Sequence, residues 1–453
     1  MTVKNHRTAR EKQEINLLKE KIRQKENEIL FLKSSWSWKI TAPLRKTRDL
    51  SRILFRKQKP AEMRVSGIMT KNNKGWVRAS ATVNSLAAQA RDFALWFEIP
   101  EKYSSYINKS GNAFATALLI PAMVLKEDLT IEEKISKTLY QNLVQAQKLM
   151  LSWPETDVWH FKLHRTKIKC QGFEKEEKTS GEVGSFFSGG VDSFYNLLKI
   201  KNLKSLIFVW GFDIPLKNKK IFNNTLAPIK EIAKQSNKKL IVVKTNLRNL
   251  YAGQNCGYLN WDMAHGAALA SIAHLLSSRF RAVYIPSSGV PQKYPDGVQK
   301  DLDPLWSKSN LKIDSFGTAL KRKTKLAAIK DNALAQKYLR VCFENTDDQY
   351  NCSKCEKCLR TMLQLKALKS LDKFKVFKRL NPKLVDKINP SSLIFSSWED
   401  IIRELDNSSE NIAIKKKIKA MLKRRRLATN DRLARKPLWQ KIKGIVWNRK
   451  LVS

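Results

Sequence analysis

A chain of 453 residues with 42% hydrophobic content is too long for one ordinary domain and rich enough to bury two or three cores. Its formal charge of +45 far exceeds what solubility requires and points to a polyanionic neighbour, either nucleic acid or an anionic membrane surface. The opening segment MTVKNHRTAREKQ has no apolar core of signal-peptide length, and no apolar run approaches the ~18 residues of a membrane span, so we expect a cytoplasmic protein, with peripheral attachment at the inner membrane face as the alternative.

Residues 8–34 carry Ile15, Leu18, Ile22, Ile29 and Leu32 on a heptad-like stripe that Lys25 interrupts. A short coiled coil of about three heptads, able to make the chain a homo-oligomer, and a solvated helix are equal alternatives. A basic stretch to about Pro60 completes this N-terminal region. Within it, SWSWKITAPLR is similar to a short sequence that follows coiled coils in bacterial surface-polysaccharide enzymes.

Residues 61–182 mix strand-like pieces (GWVRASATV, FALWFEI, VWHFKLHR) with a helix around Ile131–Ser152, which predicts a small α+β domain. His160 and His164 stand four apart in the third of these pieces, on one face of a strand. With no cysteine or carboxylate near them in sequence, they read as packed or surface histidines ahead of metal ligands.

From Val183 the period changes. VGSFFS, SLIFVWGF, KLIVVKTN and AVYIP alternate with helical segments at 192–202, 219–237 and WDMAHGAALASIAHLLSS. That alternation predicts an α/β, Rossmann-like parallel sheet with helices on both faces over 183–375. Ligands bind such sheets at the carboxyl ends of the strands, where SGGVDS stands at residues 188–193. Gly189 and Gly190 let backbone N–H groups converge on a phosphate that any side chain would hold away. The helix that follows adds its positive end. Ser188 and Ser193 bring hydroxyl donors, and Asp192 stands in the first helical turn, beside a magnesium ion or as a capping group.

Ser188-Gly189-Gly190-Val191-Asp192-Ser193 resembles the signature of the PP-loop ATP pyrophosphatases, which cleave ATP between the α- and β-phosphates and adenylate a substrate. The resemblance implies an ATP and Mg²⁺ site at these six residues, with Asp192 and Ser193 in catalytic positions. Asp213, ending the next strand in WGFDIP, is a nucleotide contact by fold position alone.

A second constellation is C-x9-C-x2-C-x2-C at Cys342, Cys352, Cys355 and Cys358. Four thiolates satisfy a tetrahedral Zn²⁺, with Lys354, Lys357 and Arg360 offsetting the excess negative charge. An iron–sulfur cluster is the alternative. A phosphate loop followed by such a cluster resembles the 7-cyano-7-deazaguanine synthases, which turn a deazapurine carboxylate into a nitrile with ATP and ammonia. By that resemblance PLWSKSNLKI is a substrate-side loop, and KRKTKLAAI holds a Thr-Lys helix start at Thr324 and Lys325, the latter catalytic. The gap between the first two cysteines is longer than in that family, and GYLNWDMAHGAAL does not match it.

Beyond residue 375 the chain is helical and basic, ending in KKKIKAMLKRRR and a stripe of Trp439, Ile442, Ile445 and Val446 among cations. Such a tail suits anionic lipid or RNA, or is an ordinary solvated helix. Cys170 and Cys256 read as buried small residues. His265 reads as packed against the sheet, within possible reach of the nucleotide. The expected function is ATP-dependent adenylation of a carboxylate or amide on an unidentified small-molecule acceptor. A tRNA-modifying PP-loop enzyme, an adenylating step on a polysaccharide precursor and a non-enzymatic nucleotide-binding scaffold are the alternatives.

Overall fold

The computed structural model describes residues 61–86, 92–153, 163–175, 181–252, 259, 261–289, 296–344 and 348–434. The coiled-coil stripe, the basic linker, His160, Cys256 and the stripe at Trp439–Val446 lie outside them.

Ten strands form one sheet: β1 (Glu62–Asn73), β2 (Trp76–Ser85), β3 (Asp92–Pro100), β4 (Asp128–Ile131), β5 (Ile168–Cys170), β6 (Glu182–Phe186), β7 (Leu203–Trp210), β8 (Lys239–Thr245), β9 (Phe280–Pro286) and β10 (Lys312–Phe316). Their spatial order is β10-β9-β6-β7-β8-β3-β2-β1-β4-β5. The sheet is mostly parallel, the antiparallel pairs being β1–β2, β2–β3 and β3–β8. Numbered within the second half of the chain, β8-β7-β6-β9-β10 is the order 3-2-1-4-5 of a doubly wound α/β fold, whose crevice opens where the order reverses, between β6 and β9.

The central strands are buried along most of their length, as a sheet covered on both faces requires, and successive side chains enter two different cores. Ile207, Ile241, Val243, Val283 and Ile285 join one core, and Leu206, Phe208, Val242 and Ala282 the other. Over the first face lie α1 (Asn112–Leu125), α2 (Lys137–Leu151) and the alanine-rich α6 (Trp261–Leu275). Nearly every side chain of α1 is buried, as expected of a helix apolar on all sides. Over the second face lie α3 (Val191–Lys199) and α4 (Lys219–Gln235). The short α5 (Leu247–Ala252) follows β8.

Residues 61–182 and 183–375 share this sheet. The seam is β3 against β8, where Phe97 faces Thr245 and Glu98 faces Lys244. Asn246 seals it, accepting from Trp96 N at 3.0 Å and donating to Ala94 O at 2.7 Å. The expected division at residue 182 is thus a change of topology within one sheet and one core.

One local expectation is corrected. The described part of VWHFKLHR, including His164, is not a strand; β5 follows it at Ile168–Cys170. In PLWSKSNLKI, Trp306 and Leu311 are fully buried and Lys308 pairs with Glu174 at 3.1 Å, while Pro304, Ser309 and Lys312 are exposed. After β10 come α7 (Arg322–Ile329), α8 (Ala333–Tyr338), α9 (Glu356–Ala367), α10 (Phe395–Glu404) and α11 (Ser409–Ala434). Leu359 and Leu363 of α9 pack with Trp398, Ile401, Ile414, Ile418 and Met421 in a third core. Among the described residues no helix is long and apolar enough to cross a membrane.

Candidate active site and metal centre

The loop after β6 occupies the switch point. Gly189 has φ +77°, a left-handed conformation that residues with a Cβ adopt only at a cost. Gly190 precedes α3 as its N-cap, with no side chain capping the first amides. Val191, Phe194 and Leu197 anchor α3 in the second core, so Val191 contributes only backbone at the loop. Ser193 is turned inward, its hydroxyl donating to Gly190 O at 2.9 Å.

A polar cavity of about 120 Å³ opens at this loop, lined by Ser188, Gly190, Asp192 and Ser193 together with Asp213, Arg322, Arg340 and Lys357. Asp192 is the electrostatic centre: Arg322 Nη1 lies 3.1 Å from one of its oxygens and Lys325 Nζ 3.5 Å from the other. Lys325 is fully buried and also donates to Ser287 O beyond β9. It therefore stands behind Asp192, joining the β6 and β9 ends, and is not among the cavity-lining side chains. Burial pushes Arg322 and Lys325 below their ordinary pKa values, and Asp192 pulls both back up. Lys357 is lowered by burial and then by Arg322. Dehydrated cations crowded in this way favour a multiply charged anion.

Asp213 also reaches the cavity, half-exposed and 3.9 Å from Arg248. Asp192 and Asp213 are a donor set that suits Mg²⁺, which takes one or two carboxylates together with phosphate oxygens. His265 does not line the cavity; it packs on α6, its Nδ1 2.9 Å from Asp262 O and its Nε2 3.9 Å from Asp296. Cys170 is half-buried at the β5 edge.

The four cysteines converge as their spacing predicts, with all sulfur atoms within 4.8 Å of one another. Cys342 and Cys355 are 4.0 Å apart, and Cys352 and Cys358 3.8 Å. Tetrahedral zinc with bonds of ~2.3 Å sets its sulfurs about 3.8 Å apart, so the cluster is compatible with Zn²⁺. Asn351 holds the long first gap closed: its side-chain oxygen accepts from Val341 N at 2.9 Å and Cys342 N at 3.2 Å, while its nitrogen donates to Leu339 O at 2.9 Å. Cys355 N donates to Cys352 Sγ at 3.3 Å, and α9 begins at once, placing Cys358 in its first turn. Of the three basic residues expected to offset the sulfurs, Arg360 pairs with Glu356 at 2.7 Å and Lys357 faces the cavity.

Arg322 and Arg340 carry no sequence signal as site residues, because 86 lysines and arginines make any single cation anonymous; Lys357 was expected beside the sulfurs and not at the cavity, and nothing in the sequence marks Asn351. No protein-family model matches the chain, no curated protein is similar to it and no solved structure matches it.

Proposed function

We propose that the protein is an ATP-dependent adenylating enzyme of the PP-loop class, binding the β,γ-phosphates of ATP over residues 188–193. The carrying observation is the Ser-Gly-Gly-Val-Asp-Ser loop at the β6–β9 switch point, which lines a polar cavity together with Arg322, Arg340 and Lys357. A carboxylate or amide oxygen of the acceptor attacks the α-phosphorus and the bond to the bridging oxygen breaks. Pyrophosphate leaves, and ammonia or another nitrogen nucleophile then displaces AMP from the activated acyl group. The cavity cations and loop amides hold the departing pyrophosphate, where charge grows in the transition state. A magnesium ion held by Asp192 and Asp213 would neutralise part of the same charge. The cysteine centre, which we assign to structural Zn²⁺ with no open position, takes no part in the bond changes.

Metal-loaded protein incubated with α-labelled ATP, candidate carboxylates and ammonium should release labelled AMP and pyrophosphate. Labelled ADP, or no turnover with any acceptor, would leave the loop as a binding module and favour the scaffold reading.

An RNA acceptor is the second reading, favoured by α11. Lys416, Lys419 and Lys423 are exposed on one face of this helix, spaced for one phosphate backbone.

A further inference from the structure

Two of the cavity's cations belong to the metal-bearing segment. Arg340 lies two residues before Cys342, and Lys357 stands between Cys355 and Cys358; both line the cavity, as does Cys342 itself. The Arg340 amide donates to Gly189 O at 2.8 Å, so this segment touches the phosphate loop at its left-handed glycine. A Cβ on Gly189 would lie 3.5 Å from Arg340 Cβ, which shows how closely the two chains pass.

Residues 339–343 have no regular secondary structure. Leu339, Val341 and Cys342 are buried in the second core, and the backbone is held by the Asn351 side chain and by a bond to Gly189 O. The Cys342 sulfur of this segment lies 4.0 Å from that of Cys355, the N-cap of α9, and all four sulfurs lie within 4.8 Å of one another. A metal ion bound among them would tie this segment directly to α9.

We propose that the metal centre completes the anion site: with Zn²⁺ bound, the cysteine segment lies against the phosphate loop and supplies Arg340 and Lys357 to the bound polyphosphate, and without it that grip is lost. This rests on the assignment of the cavity to a polyphosphate. Because coupling between two sites is reciprocal, a bound polyphosphate must also tighten metal binding by the same factor, which is expected to show as slower escape of zinc to a chelator.

Inorganic pyrophosphate is the probe, titrated calorimetrically into full-length protein, metal-loaded and chelator-stripped. Release of zinc to a chromogenic chelator is followed in parallel, with and without pyrophosphate. The expected result is a loss of pyrophosphate affinity of about tenfold or more on stripping, and slower zinc release when pyrophosphate is present. Arg340→Ala, which leaves Lys357 in place, should keep one equivalent of zinc and weaken both effects. Equal affinity of stripped and loaded protein, with zinc release indifferent to pyrophosphate, overturns the coupling while leaving the polyphosphate assignment standing. No pyrophosphate binding by loaded protein overturns both. Should stripping unfold the chain, the zinc-release comparison and Arg340→Ala still decide, since both use loaded protein, and an unchanged release rate counts against the proposal.

Discussion

Asp192 does two things at once, and substitutions there must separate them. Arg322 is 9% exposed and Lys325 fully buried, and Asp192 is the carboxylate paired with both. Asp192→Ala strands two buried cations, which typically costs about 3–5 kcal/mol, so loss of ATP turnover in that variant would be uninformative. Asp192→Asn keeps an oxygen acceptor. We expect it to fold, to melt at a modestly lower temperature and to lose AMP formation; undiminished turnover in the folded Asn variant would remove Asp192 from the chemistry. Gly189→Ala isolates the loop backbone. The added methyl meets only ordinary contacts, so the cost is the left-handed φ of +77°, about 1–2 kcal/mol. Denaturant unfolding should show that loss, together with weaker pyrophosphate binding.

Elements bring these residues together, and two predictions belong to them. Cys358 is fully buried and joins the second core. Cys358→Ser should reduce bound metal below one equivalent by elemental analysis and lower the melting temperature, whereas full metal retention would place the ion elsewhere. On α6, His274 is fully buried, with Nε2 2.7 Å from Trp306 O. Burial, reinforced by Lys308, lowers its pKa from 6.5 to about 3. The folded state therefore keeps it neutral while the unfolded chain takes up a proton. Its contribution is complete above pH 6.5 and disappears as pH falls towards 3, with a slope approaching about 1.4 kcal/mol per pH unit. Asp303, raised well above its usual value by burial, opposes this by favouring the fold at lower pH. The informative quantity is thus the difference between wild type and His274→Gln, whose stability between pH 6 and 4 should fall less steeply. Parallel stability curves would refute the buried neutral histidine.

At the scale of the whole molecule, the +45 charge is unevenly used. Many cations are tied down, as Lys417 is to Asp386 at 2.5 Å and Arg424 to Ile388 O at 3.0 Å. Lys416, Lys419 and Lys423 instead stand exposed along α11. If the acceptor is RNA, tRNA affinity should fall steeply with salt, and replacing these three lysines by glutamine should lower that salt slope by about three units at ~0.9 per phosphate contact. Equal affinity at low and high salt would dismiss the RNA reading. The extended sheet also gives the site its support. The doubly wound half ends at β8, and β3 continues it through the Thr245–Asn246 seam, so the strands behind the phosphate loop are not left with an open edge on that side.

Much of this was legible in the residues themselves. Alternating apolar strands and helices after Val183 identify a parallel sheet because both patterns are local, and the loop at 188–193 announces itself because two glycines between a strand and a helix answer a backbone need. The cysteine spacing likewise predicts a metal site, since short C-x2-C loops set sulfur separations by themselves. Strand β1 was not read, although Met63 and Val65 alternate in burial, because its outer half is polar and unpatterned. The seam between β3 and β8 was invisible because it joins residues about 150 positions apart, and separation of that kind leaves no periodic trace. The same holds for Arg322 and Arg340, whose type says only that they are cations in a cationic chain, and for the cavity position of Lys357, which its place among the cysteines did not reveal. Sequence alone thus determined the βαβ period, the glycine loop at 188–193 and the thiol set, each specified by near neighbours. Tertiary structure alone decided that one sheet spans both halves, that Lys325 supports Asp192 from behind, and that the cysteine segment meets the 188–193 loop at Gly189, because these depend on which distant side chains packing forces into contact.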